Sequence, residues 1–249
     1  MWYWLFKYII MGPLLAVLGR PKVQGLEYVP TSGPAILASN HLAVADSFYL
    51  PLVVGRRITF LAKSEYFTGT GIKGAFFRWF FTAAGQVPID RSNADAARGA
   101  LDTAERILAE GRLLGMYPEG TRSPDGRLYK GKSGLARLAL QTGVPVIPVA
   151  MIGTDVVNPP GSRMWRFGRV EVRFGKPMDF SRFDGMEGNR FIERAVTDEV
   201  MYELMKLSGQ EYVDIYAASL KTGVPGGQSS VKSDGTGQPS VRIPETAAG

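Results

Sequence analysis

Apolar positions fall along the chain in two rhythms. PAILAS, ITFLAK, GQVPID, RLLGMYP, VPVIPVAMI and RVEVRF are short, mostly apolar runs bounded by turn residues, the pattern of strands buried within a sheet. NADAARGALDTAERILAEG instead carries its apolar residues at helical spacing and predicts a helix from near Asn93 to Gly111. SGLARLALQTG and the stretch from Asn189 to Leu207 predict further helices. The alternation predicts an α/β domain with a central, mostly parallel or mixed sheet flanked by helices. No internal repeat is present.

The ends break this rhythm. MWYWLFKYIIMGPLLAVLG, Met1 to Gly19, is about as long as the roughly 20-residue apolar stretch that crosses a bilayer. Lys7 and Pro13 interrupt it, and no small-residue cleavage site follows, so it does not read as a secretory signal. Trp2, Tyr3 and Trp4 are of the types that settle at the headgroup level, and Arg20 and Lys22 flank the far end. A helix packed on the domain is the plainer reading. The density of aromatics favours membrane contact, either spanning or lying in the interface. IKGAFFRWFFTAAG, Ile72 to Gly85, crowds Phe76, Phe77, Trp79, Phe80 and Phe81 together, as buried core or as an amphipathic surface dipping into lipid. Thr222 to Gly249 is rich in Gly, Ser and Pro and reads as a disordered tail. The expected organisation is a membrane-associated helical segment over 1–22, one domain over 23–221 and a tail over 222–249.

Composition then narrows the chemistry. The net charge of +6 fits an anionic partner. With no zinc-finger spacing, basic heptad region or aromatic-and-basic RNA signature, nucleic acid is the weaker choice. The chain has no cysteine and one histidine, His41. Thiolate catalysis, disulfides and His- or Cys-rich metal sites are therefore excluded, and any imidazole chemistry belongs to His41.

Taken alone, a single histidine is more often structural than catalytic. Three local facts favour chemistry. His41 follows the strand-like PAILAS, small residues (Ala43, Ala45) follow it, and Asp46 comes five positions on. In a straight helix, positions five apart diverge by roughly 140°. A His41–Asp46 pair therefore requires the chain to bend between strand and helix. The carboxylate would then hold one ring nitrogen and leave the other to take a proton from an alcohol. Ser47 raises a serine hydrolase as a rival, but no Gly-x-Ser-x-Gly elbow exists, so the attacking hydroxyl belongs to a substrate.

A second cluster lies in GMYPEGTRSPDG, where an apolar strand runs into Pro118, Glu119, Gly120, Thr121 and Arg122. As structure, this is a loop with an exposed ion pair. As chemistry, Arg122 offers a planar fork for phosphate and Glu119 an acceptor for a substrate hydroxyl. GQVPIDR ends in Arg91 and ITFLAK in Lys63, so three cations at strand ends are expected to converge on one sheet edge as an anion pocket. GRLYKGKS, Gly126 to Ser133, has P-loop spacing, but the polar TRSPD precedes it where a nucleotide loop needs a buried strand. Lys132 remains a candidate anion contact at the following helix start.

In this order, the motifs resemble those of the 1-acylglycerol-3-phosphate acyltransferase family of glycerolipid acyltransferases. The family's first block, a His, four residues and an Asp, is met by His41 and Asp46. Its second is met by GQVPIDR, its third by YPEGTRS, and its fourth by VPVIPV. The resemblance spans roughly Val23 to Gly175. It implies a glycerol-3-phosphate acyltransferase-like fold and a membrane enzyme on the cytoplasmic face. Such an enzyme moves a fatty acyl group from an acyl-CoA or acyl-carrier protein thioester to lysophosphatidic acid. His41 is then the general base and Asp46 its partner. Lys63, Arg91 and Arg122 meet the acceptor's phosphate, and Glu119, Gly120 and Thr121 form the acceptor-binding block. The resemblance implies no metal, no cofactor and no acyl-enzyme. Two rivals stay open: the same transfer onto another lysophospholipid, glycolipid or glycerol phosphate, and a non-catalytic lipid-binding protein.

Overall fold

All five residues of β2 (Ala35–Ser39) are buried, because this strand lies at the middle of the sheet and is covered on both faces. The computed structural model describes residues 2–64, 67–71, 74, 75, 78, 85–89, 94–162 and 164–221. The strands are β1 (Lys22–Gln24), β2, β3 (Ile58–Lys63), β4 (Gln86–Ile89), β5 (Leu113–Met116), β6 (Leu128–Tyr129), β7 (Val146–Ile152), β8 (Glu171–Phe174) and β9 (Tyr212–Val213). Seven of them form one sheet in the order β1-β8-β7-β2-β5-β3-β4, and β6 pairs with β9 separately. Every pairing in the large sheet is parallel except β7 with β8. All six runs expected as strands are strands, and the sheet is mostly parallel as expected.

The helices are α1 (Trp2–Leu5), α2 (Gly12–Gly19), α3 (Asp46–Val53), α4 (Ala94–Ala109), α5 (Gly134–Thr142), α6 (Thr154–Val157), α7 (Arg190–Ser208) and α8 (Ala217–Lys221). Strand periodicity sorts the core into two layers. Ala35 and Leu37 of β2 face a cluster with Leu15 of α2 and with Tyr49 and Leu50 of α3. Ile36 and Ala38 face the other way, onto Leu108 of α4, Leu138 of α5 and Val200 of α7. Asn189 caps α7 by accepting from the Phe191 and Ile192 N–H groups. The P-loop-like GRLYKGKS holds β6 of the small sheet, so no strand of the main sheet feeds it.

The first segment is neither one long helix nor wholly buried. A π-helical stretch, Phe6–Met11, joins α1 to α2 just ahead of Pro13, whose ring would clash with the carbonyl four residues back in a regular α-helix. No helix among the described residues is long and apolar enough to cross a membrane. One side packs on the domain: Leu15 is buried, and Tyr49 donates its hydroxyl to the Leu15 carbonyl at 3.1 Å. The other side leaves Tyr8, Ile9, Leu14 and Val17 exposed, Ile9 by 67%. Lys7, the charge within the apolar stretch from Trp2 to Gly19, turns inward instead. It is 6% exposed, donates to the Val54 carbonyl and sits over the rings of Trp4 and Tyr8. The aromatic run expected as core or lipid surface, 72–85, lies almost wholly outside the described residues, as does the tail 222–249.

Burial pushes the Lys7 ammonium down to about 8. Unfolded, the same group titrates near 10.4. Between those values the unfolded chain holds a proton that the folded chain has released, so stability rises with pH across that window. Lys7→Met is expected to be more stable than the wild type at pH 7. The advantage should shrink by about 2 kcal/mol as the pH rises to 10, measured by urea denaturation at both values.

Candidate active site

Because β2 and β5 are parallel neighbours, their carboxyl ends open onto the same edge of the sheet, where sites on such sheets form. His41 follows β2 in a short loop, and Asp46 is the first residue of α3. The loop bends as their spacing requires. His41 Nδ1 lies 2.8 Å from Asp46 Oδ2. The same oxygen accepts the N–H groups of Leu42 at 2.7 Å and Ala43 at 2.9 Å. Asp46 is fully buried, and its Oδ1 has no hydrogen-bond partner among the described residues. The His41 side chain keeps 16% of its surface exposed. With Nδ1 occupied by the carboxylate, Nε2 is the nitrogen left to exchange a proton with a bound molecule.

Tyr117, just beyond β5, holds the imidazole from its face. The two rings stack 3.8 Å apart at 11°, and Phe60 of β3 stacks behind Tyr117 at 5.7 Å. Gly115 makes room for this column: a Cβ there would lie 2.3 Å from Phe60 Cε1. The Tyr117 hydroxyl shares a 2.9 Å hydrogen bond with Ser47 Oγ. Burial, and secondarily the charge of Asp46, raises the phenol well above its ordinary range.

Glu119 corrects an expectation. Its carboxylate was expected to face a substrate hydroxyl, but the residue is 1% exposed. Oε1 accepts the His41 N–H at 3.1 Å and Oε2 the Tyr129 N–H at 3.0 Å. Buried backbone N–H groups need partners, and this carboxylate satisfies two of them while lashing the loops after β2 and β5 together. The Ser123 N–H closes the same junction on the His41 carbonyl at 2.7 Å. Gly120 takes the left-handed conformation at φ 73°, and Lys132 crosses so close that a Cβ there would stand 3.0 Å from its Cε. Thr121 is half-buried, and Arg122 is exposed on the same turn. Lys63 ends β3 at the same sheet edge, but its side chain lies outside the described residues. Arg91 lies outside them altogether, two positions after β4 ends at Ile89.

Asn40 and Gln210 went unread in the sequence. Asn40 Nδ2 donates to the Met151 carbonyl of β7 at 2.9 Å and to Gln210 Oε1 at 2.7 Å, and Asn40 Oδ1 accepts the Met151 N–H. Gln210 Nε2 in turn donates to the Gly126 carbonyl at 2.6 Å. The residue before the histidine is thereby tied to β7 and to the segment after α7. Among the described residues no cluster of His, Asp and Glu side chains is arranged to hold a metal ion.

A family model described as acyltransferase matches residues 20–152, just over half of the chain. The chain belongs to the 1-acylglycerol-3-phosphate acyltransferase family. Over 171 residues it is 36% identical to the 1-acyl-sn-glycerol-3-phosphate acyltransferase of Limnanthes douglasii, covering 68% of this chain and 56% of that one. The chloroplastic 1-acyl-sn-glycerol-3-phosphate acyltransferase of Brassica napus is 34% identical over 66% of this chain and 47% of its own length. The chain thus spans about half the length of these curated relatives. The solved structure of the 1-acyl-sn-glycerophosphate acyltransferase PlsC from Thermotoga maritima aligns with a TM-score of 0.62 at 24% identity. That likeness covers 84% of this chain and 81% of that one and shows a shared fold. The family match ends at Ile152, so Gln210 lies beyond it.

Two substitutions test this construction. Glu119→Ala leaves the His41 and Tyr129 N–H groups unpaired and is expected to cost about 2–4 kcal/mol of stability, read by urea denaturation. Gly115→Ala must displace the Phe60 ring and is expected to cost about 1–3 kcal/mol. A matching change in the near-ultraviolet circular dichroism of the Phe60–Tyr117 column would accompany it.

Proposed function

We propose that the chain transfers a fatty acyl group from an acyl-CoA or acyl-carrier protein thioester to the free hydroxyl of lysophosphatidic acid, giving phosphatidic acid. The observation that carries this reading is the His41–Asp46 pair, with Nδ1 held at 2.8 Å and Nε2 left for a substrate. His41 Nε2 takes the proton of the acceptor hydroxyl as that oxygen attacks the thioester carbonyl. The carbon–oxygen bond forms, the carbon–sulfur bond breaks, and the departing thiolate recovers the proton from the imidazolium. Asp46 keeps the ring in the tautomer this requires and offsets the positive charge. Glu119 serves by fixing the backbone of His41.

The relatives' names supply the acceptor. Arg122, with Lys63 and Arg91, is read as the contact to its phosphate, and Gly120 and Thr121 as the turn that presents Arg122. The common direction of β3, β4 and β5 supports this, since β3 ends in Lys63 and β4 and β5 run toward Arg91 and Arg122. Residues 23–221 are read as the transferase domain. The segment 1–22 is read as an anchor lying in the cytoplasmic face of the cell membrane, and 222–249 as a tail. The outward apolar side of α2 and the inward turn of Lys7 support an anchor in the interface. A small cleft of about 30 Å³ is lined by Tyr3, Lys7, Met11 and Leu15 of this segment and by Ser47, Phe48, Pro51 and Leu52 of α3.

His41→Ala is expected to lower transfer of labelled palmitoyl from its CoA thioester to lysophosphatidic acid in mixed micelles by about 10²–10⁴-fold. Equal product from the variant would make the histidine structural. Faster transfer to a phosphodiester lysolipid or to glycerol phosphate would reassign the acceptor. No product with any thioester and lysolipid would overturn the transfer itself.

A further inference from the structure

The stretch VVNPPGSRMWRFGRV, Val156 to Val170, repeats arginine every third residue at Arg163, Arg166 and Arg169 and contains no acid. It lies beyond the family match and connects α6 to the reversed strand β8. Its described part is well ordered by hydrogen bonds. The Arg166 N–H returns to the Val157 carbonyl at 2.8 Å, and the Ser162 hydroxyl both accepts from and donates to the Met164 backbone. It is also fastened to the end of α2, where the Leu18 carbonyl accepts the Gly168 N–H at 2.9 Å and the Gly19 carbonyl accepts the Val170 N–H at 2.7 Å. Trp165 turns in, its ring set edge-on against Phe48.

Despite this order, Met164 is 77% exposed and Phe167 74%. Large apolar groups held out on a structured loop gain nothing from water. Arg166 and Arg169 are exposed among them, and neither has an ion-pair partner among the described residues. This apolar and basic surface continues the outward side of α2, since Val17 immediately precedes the Leu18 that holds the loop. The outward side of α2 itself carries no charge.

We infer that the Val156–Arg169 loop is a second membrane-docking element, one that selects an anionic lipid surface. Met164 and Phe167 enter the headgroup boundary while the arginines stay at the level of the lipid phosphates. Anionic lipid suits this loop better than a protein partner does, because Arg166 and Arg169 have no ion-pair partner among the described residues and the patch adjoins the segment read above as the anchor. The inference rests on that reading of residues 1–22. The two elements divide the work: the first segment supplies apolar area, and the loop supplies charge selectivity.

The test is flotation of the full chain with vesicles of phosphatidylcholine alone or of equimolar phosphatidylcholine and phosphatidylglycerol. Each cation near an anionic surface accounts for about a fivefold gain in binding. The combined variant Arg163→Gln, Arg166→Gln and Arg169→Gln should therefore bind the anionic vesicles roughly a hundredfold more weakly, and the uncharged vesicles as the wild type does. Because the chain lacks cysteine, Met164→Cys carries a nitrobenzoxadiazole label at one site. Its emission should shift to the blue on anionic vesicles and be quenched by shallow doxyl lipids. Transfer to micellar acceptor should be kept by both variants, which also reports that they fold.

If the wild type floats with neither vesicle, the anchor reading falls and this inference with it. If the wild type floats, but the arginine variant floats equally and the label stays in water, the inference alone is overturned. Lipid-free dimers dispersed by Phe167→Ser would assign the patch to a second copy of the chain and overturn it as well.

Discussion

A single carboxylate oxygen, Asp46 Oδ2, receives the imidazole Nδ1–H and the backbone N–H groups of Leu42 and Ala43. The interaction that orients the histidine is thus the one that closes the loop between β2 and α3. Two buried backbone donors would otherwise lack partners, at a cost of about 1–3 kcal/mol each. Folding the loop and aiming the ring are therefore inseparable. The five-residue separation has the same origin, since a regular helix would carry the two side chains to different faces.

The rest of the site is arranged around that loop. β2 is the centre of the sheet, and its parallel neighbour β5 delivers the second loop to the same edge. Glu119 bonds across the gap to the His41 N–H, while Asn40 anchors the first loop to β7 on its other side. The faces of the rings complete the restraint, with Phe60 behind Tyr117 and Tyr117 against His41. The histidine is thus held by its edge, its face and its backbone, while no hydrogen bond occupies Nε2 among the described residues.

The first segment follows a different logic. Lys7 points inward, while Tyr8, Ile9, Leu14 and Val17 point out and Tyr3 and Leu15 pack on the domain, so apolar groups line both sides rather than only the one that covers a core. Lys7 is kept inside by the Val54 carbonyl and two aromatic faces. Tyr49 and the strand pairing at Lys22 fasten the segment to the domain.

Local pattern alone was enough for much of this. Strands β2, β5 and β7 were legible because burial on both faces requires unbroken apolar runs, β3 and β4 from short apolar runs, and β8 from the alternation that buries Val172 and Phe174. Helices α4, α5 and α7 were legible from their spacing. His41 with Asp46 could be read as a pair because the contact closes within one short loop. Helix α3 was not legible, since DSFYLPLV has a proline inside it and forms where packing on Leu15 and β2 outweighs its weak propensity. The strands β1, β6 and β9, two or three residues each, are too short to show a period. The reversal of β8 left no mark either, because alternation is the same in both directions. Glu119 looked like a solvent-facing acid until the N–H groups of His41 and Tyr129 gave its two oxygens inward partners. The tie between Asn40 and Gln210 joins residues 170 positions apart. Periodicity records what each segment must bury, and the chain alone therefore determined these elements and the pairing of His41 with Asp46. Which carboxylate turns inward, and which distant side chain holds a loop, depends on groups that meet only once the sheet has closed. Only the tertiary structure decided those.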